Sequence, residues 1–591
     1  MANERPLHQR HTRHPDGRQW IRPARWRQFL VLGLLMCLPL VLLSRAVDLQ
    51  VVNNDFLLAQ GDARHVRTLP IAAHRGVIQD RHGAPLAIST PVQSLWTDPQ
   101  RLLQHAEYIP QLAAALGKEP SELAAQIERR SQQEFMYLRR QADPRLVESV
   151  TALGVPGVHA ADEYRRFYPA AEVTGHLLGF TNIDDQGLEG LELAFDGWLR
   201  GEPGARRVMR DRPGRVIADI EQIRPPEPGR DLVLSIDTTL QYLLHRELAR
   251  AVAHHDALGG SAVLLDPRNG EVLAVSNQPD FNPNMIRAGV PANARRNRAL
   301  IDAYEPGSTI KPFVVAAAME LDLIDASSAF DTSPGVMRVG RHRVRDLRDY
   351  GTLDVTEVIS RSSNIGVTQI ALALPDDAIW GLLRRVGLGV THDTGFPGES
   401  AGMLSLLPPR DAVSQATLSF GYGLSVTPLQ LAQAYAVFAN QGVLMPPTLL
   451  RRDASEPGVP VLSPDVADAV LGMMEHAVGP NGTGRRAAVP GYRVAGKTGT
   501  SRKAVAGGYA SDRYVSWFAG IVPANDPQLV MVVMLDEPTR NGRYGGEVAA
   551  PVFANVMQSA VRLLNIPPEL HDTGDSIMAF GPHGLVDVEQ P

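Results

Sequence analysis

A chain of 591 residues exceeds what one hydrophobic core organises, about 300 residues, so several domains are expected. An apolar content of 44% and a charged content of 21% are those of a globular protein, and a net charge of −6 gives no case for a nucleic-acid partner. The single cysteine, Cys37, excludes an internal disulfide.

Residues 1–27 are polar and Arg-rich without periodicity, which predicts a disordered arm. Residues 29–43 are almost unbroken apolar, bounded by Arg27 and Arg45. They predict a membrane anchor over 28–48, extended by Ala46, Val47 and Leu49. The long charged arm and the poor small-residue exit at Ser44-Arg45-Ala46 favour an uncleaved anchor over a signal peptide. Positive charge stays cytoplasmic, so the chain beyond the anchor is expected outside the inner membrane.

The block from 49 to 225 opens with a strand, a tight turn at His82-Gly83 and a second strand. Arg75, Asp80 and Arg81 there read as structural ion pairs rather than a ligand site. Residues 100–155 carry Leu and Ala at helical spacing, with a break at Glu119-Pro120. No nucleophile–base pair or metal spacing appears in this block, which reads as a pedestal or partner surface. Arg224-Pro-Pro-Glu-Pro-Gly229 then reads as a linker.

Beyond it, residues 231–236 predict a strand, 240–253 a helix and 261–277 a hairpin. Residues 515–522 and 529–535 predict two more strands, while helices cluster between 308 and 475. The pattern is α+β, a central antiparallel sheet with helices, over 226–570. Residues 571–591 have no strong pattern and predict a flexible tail.

Three short motifs carry the chemistry. In Glu305-Pro-Gly-Ser308-Thr-Ile-Lys311-Pro-Phe313 a helix begins near Ser308, and Lys311 lies one turn on, on the same face. A hydroxyl needs a neighbouring base, and a lysine serves if burial or a nearby cation lowers its pKa. Ser362-Ser-Asn364 follows Ser308 by 54 residues, and Lys497-Thr-Gly-Thr500 follows Ser362 by 135. Each motif alone is weak, but the three in this order are the signature of β-lactamases and penicillin-binding proteins. Lysine usage points the same way. Of 58 basic residues only Lys118, Lys311, Lys497 and Lys503 are lysines, and two of the four fall inside the motifs. Arginine cannot give up its proton in a protein, whereas a lysine in a tuned site does.

Over roughly residues 28–565 the chain resembles class B penicillin-binding proteins, most closely the division-type (septal) peptidoglycan D,D-transpeptidases. The resemblance includes Arg75-Gly76 to Ala87, Gly187-Leu-Glu189, and Gly421-Tyr-Gly423 with Thr427-Pro-Leu-Gln430. Lys497 to Ser501 with Gly507-Gly-Tyr509, Phe518-Ala-Gly520 and Asp536-Glu-Pro538 is similar to the division type rather than the elongation type. No glycosyltransferase-like block precedes residue 226, which disfavours the bifunctional class.

The resemblance implies a transpeptidase domain preceded by an elongated pedestal of the dimerisation type and one N-terminal transmembrane helix. It also implies a mechanism. Ser308 is the expected nucleophile and Lys311 its base, with Ser362 relaying a proton, Asn364 orienting Lys311 and the substrate amide, and Lys497 supplying positive potential. Thr498 and Thr500 are expected to hold the substrate carboxylate, and Gly499 to admit substrate backbone. The backbone N–H groups of Ser308 and Thr500 form the expected oxyanion hole. Peptidoglycan stem peptides and β-lactams are the implied ligands, a membrane glycosyltransferase and other division proteins the implied partners, and no metal or organic cofactor is required. A D,D-carboxypeptidase and a catalytically dispensable divisome scaffold are the alternatives; a β-lactamase is disfavoured by the anchor and the large block before residue 226.

Overall fold

The structure, a computed structural model, describes residues 25–55, 66–210, 216–286, 290–454 and 456–569. The tail expected at 571–591 lies outside the described residues, as does the arm expected at 1–27 except for residues 25–27. Those three residues open a helix, Arg25–Val47. The apolar stretch Phe29–Val52 spans 24 residues, and its most apolar window buries nothing. About 20 such residues suffice to cross a membrane.

Contacts divide the chain into two compact units, Met1–Ile71 with Gly204–Pro225, and Ala72–Pro203 with Pro226–Pro591. The first holds the apolar helix and a three-stranded antiparallel sheet of Val66–Ile71, Gly204–Arg210 and Val216–Arg224, with Gly204–Arg210 in the middle. Residues 72–203, in the block expected to form the pedestal, thus group with the chain from residue 226 onward. The reason is a shared core: Ile78, Leu86, Leu177 and Leu191 are buried in one cluster with Val263, Phe313 and Tyr435.

In the second unit, residues 72–203 are organised by the long strand Pro85–Thr97, which pairs antiparallel with Ile78–Gln79, Met136–Ala142 and Val158–Phe167. The strand Met136–Ala142 interrupts the helical run expected over 100–155. Its Met136 and Leu138 face the core, while the flanking Phe135 stacks on Trp96 at 5.0 Å. That is a period of two, and it overrides the surrounding helical spacing. Arg75 is fully buried and donates to Glu192 Oε2 (2.7 Å) and Asp196 Oδ1 (2.8 Å). Arg166 meets the other oxygen of Glu192 at 2.6 Å, and Arg81 reaches Glu271 at 3.0 Å. Among the described residues Asp80 pairs with no cation; it accepts from the His82 and Ala84 amides and the Thr238 hydroxyl.

The rest of this unit is built on a five-stranded antiparallel sheet. Its strands are β1 (Gly259–Leu265), β2 (Val272–Gln278), β3 (Ala495–Val505), β4 (Gly508–Val522) and β5 (Leu529–Asp536), in spatial order β2-β1-β5-β4-β3. The strand expected over 231–236 shortens to Leu232–Val233, because Asp237 turns the chain to cap the helix Thr238–His255. Both faces of β5 are buried. Val530, Val532 and Met534 join the cluster of α1 (Lys311–Glu320), while Met531, Val533 and Leu535 pack with Leu244 and Phe553 from the helices Thr238–His255 and Ala550–Leu563. The expected α+β arrangement, an antiparallel sheet flanked by helices, is the one formed. Strand β3 ends the order, so among the described residues no strand pairs with one of its backbone edges.

Candidate active site

Ser308 lies in a 3-10 turn, Gly307–Ile310, that runs directly into α1 at Lys311. The turn requires glycine at 307, whose φ is +57°. Its amide donates to the Gly421 carbonyl at 3.1 Å, and a side chain at Gly421 would overlap the Gly307 carbonyl. Residues 311–318 are buried all round, so α1 is a core helix and its first residue is carried into the interior.

Lys311 Nζ donates to the Ser362 carbonyl (2.6 Å), Asn364 Oδ1 (2.7 Å) and Ser362 Oγ (3.2 Å). None of these bonds runs to Ser308; catalytic hydrogen bonds in unliganded sites are often long and tighten only with substrate. Burial, and next the Lys497 ammonium, hold Lys311 well below the ordinary lysine value, while Asp346 opposes them more weakly. As a neutral amine Lys311 has two protons, which match its two shorter contacts and leave a lone pair. Lys497, on β3, is equally buried and donates to Ser362 Oγ (2.9 Å) and the Thr498 carbonyl (3.2 Å). Burial pushes it down to about 7.

Ser362 links the two lysines from a left-handed conformation, φ +60°, rare for a residue with a side chain. What holds it there is the next helix, α2 (Asn364–Ala373). Ser363 caps α2 by accepting from the Gly366 amide (2.9 Å) and donates to Asp346 Oδ2 (2.6 Å). Asp346 Oδ1 accepts from the Asn364 (2.5 Å) and Ile365 (3.2 Å) amides.

These groups open on a cleft of about 410 Å³ that Ser308, Ser362, Asn364, Thr498, Gly499 and Thr500 help to line. It runs along the unpaired edge of β3. Thr498 Oγ1 donates to Thr483 Oγ1 (2.9 Å), and Thr500 Oγ1 accepts from the Gly545 amide (3.0 Å). Gly499 has a steric role the sequence did not reveal. A side chain there would lie 2.5 Å from the Pro306 carbonyl and 2.8 Å from Thr309, so glycine is what lets the Ser308 turn press against β3. Sequence reasoning brought Ser308, Lys311, Ser362, Asn364, Lys497, Thr498, Gly499 and Thr500 together, and all eight meet around this cleft. It missed Asp346, Thr483, Arg485, Arg486, Tyr544 and Glu547, of which all but Asp346 line the cleft. Among the described residues no cluster of three or more His, Cys, Asp or Glu side chains has the arrangement of a metal site.

Residues 260–558 match the penicillin binding protein transpeptidase domain, and residues 70–234 the penicillin-binding protein dimerisation domain. The chain is 41% identical over 555 residues to the peptidoglycan D,D-transpeptidase FtsI of Escherichia coli, covering 93% of this chain and 94% of that one. It belongs to the division-type class B penicillin-binding proteins. A probable peptidoglycan D,D-transpeptidase, PbpC of Pseudomonas aeruginosa, is 43% identical over 92% of this chain and 96% of its own. Among solved structures, the transpeptidase domain of Burkholderia pseudomallei penicillin-binding protein 3 is 40% identical over 57% of this chain and 98% of its own, with a TM-score of 0.53. Penicillin-binding protein 3 of Mycobacterium tuberculosis, in complex with aztreonam, is 27% identical over 85% of this chain and 98% of its own, with a TM-score of 0.66. In this penicillin-binding protein the cleft falls wholly within the matched transpeptidase domain, and the buried Arg75–Glu192 pair within the dimerisation domain.

Proposed function

We propose that this protein crosslinks peptidoglycan stem peptides as a D,D-transpeptidase, working through an acyl-enzyme on Ser308 in septal wall synthesis. The observation that carries the reading is Lys311: a buried amine one turn from a hydroxyl, beside a second buried lysine, with no carboxylate among its hydrogen-bond partners.

Ser308 Oγ attacks the carbonyl of the penultimate D-alanine, and its proton passes to the lone pair of Lys311. The oxyanion is met by the Ser308 and Thr500 amides, each donor worth about 3 kcal/mol in comparable sites. Collapse expels the terminal D-alanine, whose nitrogen takes a proton relayed through Ser362 Oγ, and leaves an ester on Ser308. An amine of a neighbouring stem then attacks that ester, a proton returns to Ser308, and the crosslink is released. Asn364 orients Lys311 and the substrate amide. Lys497 supplies positive potential, and Thr498 and Thr500 receive the substrate carboxylate. The unpaired edge of β3 suits an extended peptide added as a further strand. A β-lactam offers the same carbonyl and stays attached.

The domain reading that accompanies this is a cytoplasmic arm over 1–27, an anchor over 28–48, a pedestal over 49–225 and a transpeptidase domain over 226–570. The protein is a single-pass inner-membrane protein with its catalytic domain on the periplasmic side, following the arginines at the N-terminal flank of the apolar helix. A membrane glycosyltransferase supplies the glycan strands, and other division proteins bring the two together. The primary test is covalent labelling. Fluorescent penicillin is expected to label the wild type and not Ser308→Ala, and mass spectrometry to find the adduct on the peptide containing Ser308. An adduct elsewhere overturns the reading. Filaments on depletion are the expected cellular result; release of D-alanine without crosslinks would favour a carboxypeptidase, and full complementation by Ser308→Ala a scaffold.

A further inference from the structure

Glu305 stands three residues before Ser308, and is not among the described hydrogen-bond partners of Lys311 or Lys497. Its backbone carbonyl accepts from Ser501 Oγ on β3 (2.7 Å) and from the Trp517 indole N–H on β4 (3.1 Å). Its side chain reaches two other places. Oε1 accepts from the Gly423 amide (2.9 Å), in the turn whose Gly421 packs on Gly307, and from the Tyr509 hydroxyl (2.9 Å). Oε2 is buried and has no hydrogen-bond partner among the described residues. Burial accordingly raises the pKa of this carboxyl, against the pull of Gly423 and Tyr509. A half-buried carboxylate with one bare oxygen is an unfavourable thing to place beside a nucleophile turn unless its position does something there.

The location of Tyr509 says what. The β3–β4 pairing shifts register between Arg502 and Ala504, so the outer hairpin, where Ala504 faces Tyr509, leaves the regular ladder. Tyr509 is half exposed and lies edge-on to Tyr422 at 5.4 Å, and the Tyr422 hydroxyl accepts from the Arg502 amide at 3.2 Å. The Tyr509–Glu305 bond therefore fastens the part of the hairpin beyond the bulge to the turn that carries Ser308. The same turn abuts Thr500 so closely that a side chain on Gly307 would sit 3.3 Å from the Thr500 carbonyl. The spacing of turn and strand sets the distance from the attacking oxygen to the Thr500 donor of the proposed oxyanion hole.

We propose that Glu305 is a positioning residue for acylation, its carboxylate holding the outer β3–β4 hairpin, through Tyr509, in register with the Ser308 turn. The proposal rests on the acyl-enzyme reading above. Misplacing reacting groups by a fraction of an ångström slows the chemical step rather than first binding.

The test uses the full-length protein and the pre-steady-state kinetics of benzylpenicillin acylation, which separate initial affinity from the acylation rate constant. Loss of one hydrogen bond to a charged partner predicts that Tyr509→Phe acylates about fivefold to tenfold more slowly, with initial affinity unchanged. Glu305→Ala is expected to be at least as slow, since it also removes the Gly423 bond, and the double variant no slower than Glu305→Ala alone, because the Tyr509 bond is already lost there. Glu305→Gln keeps an oxygen for Tyr509 and Gly423 and is expected to restore the rate to near wild type. Wild-type acylation by Tyr509→Phe, or losses that multiply in the double variant, overturn the proposal. Tyr509→Phe decides the matter even if Glu305→Ala does not fold. If the wild type itself forms no adduct on Ser308, the functional reading fails first; if it does and Tyr509→Phe is as fast, only this inference fails.

Discussion

Arg75 and Lys311 are both basic side chains with no exposed surface, and their surroundings have opposite character. Arg75 is met by Glu192 and Asp196, and those carboxylates raise its pKa against the burial that would lower it. Lys311 has neutral oxygens around it and a second lysine nearby, and its pKa falls. The first arrangement keeps a charge in place whatever the pH; the second makes a charge easy to give up. Burial alone is not a sign of catalysis, and the partner set separates a structural cation from a base.

That contrast breaks most sharply at Lys311. Lys311→Arg puts a fixed charge where the proposed base is a neutral amine and cannot accept a proton, so penicillin acylation should fall by about 10⁴-fold, the upper end for general-base loss. The folded state should persist by circular dichroism. Glu192→Ala does the reverse. It leaves Arg75 and Arg166 buried without their shared counter-ion and should destabilise the protein by about 3 kcal/mol or more in denaturant unfolding, with the folded fraction still acylating.

A pH profile sharpens the comparison. In the proposed reaction acylation needs Lys311 without its proton and Lys497 with one. The rate should therefore fall as pH rises through about 7, where Lys497 discharges, and fall again in acid as Lys311 is protonated. The same lysines tie stability to pH. Their folded values lie below the unfolded value of about 10.5, so between about 7 and 10.5 the unfolded chain binds more protons and stability should increase with pH. A smaller effect is expected at Asp346. Asp346→Ala removes the partner of Ser363 and of two α2 amides, at about 1 kcal/mol of stability, and slows acylation by loosening Ser362.

The site was legible where its chemistry is local. Ser308 and Lys311 sit one turn apart, and Lys497 and Thr498 are adjacent in one motif. Asp346 and Thr483 were not legible, because each acts on a motif 15 or more residues away and neither stands in a recognisable pattern. Gly499 was read as a gap for substrate, since nothing in the sequence tells which neighbour a glycine admits; the fold puts the Pro306 carbonyl there. In the fold, β1 and β2 followed from an apolar hairpin pattern, whereas Met136–Ala142 was hidden inside a helical run because its pairing with Pro85–Thr97 is non-local.

The scarcity of lysine has one more consequence. In the proposed reaction an ester on Ser308 waits for an amine, and beyond the cleft the chain has only two lysines, Lys118 and Lys503. Lys311 and Lys497 are enclosed, Lys118 is bonded to Gln126, and Lys503 is clasped by Asp536 and Glu537. The guanidinium groups that stand in solvent instead stay protonated and do not aminolyse esters. Outside the two lysines of the cleft, the activated intermediate therefore meets a protein surface poor in amines that could compete with the incoming strand.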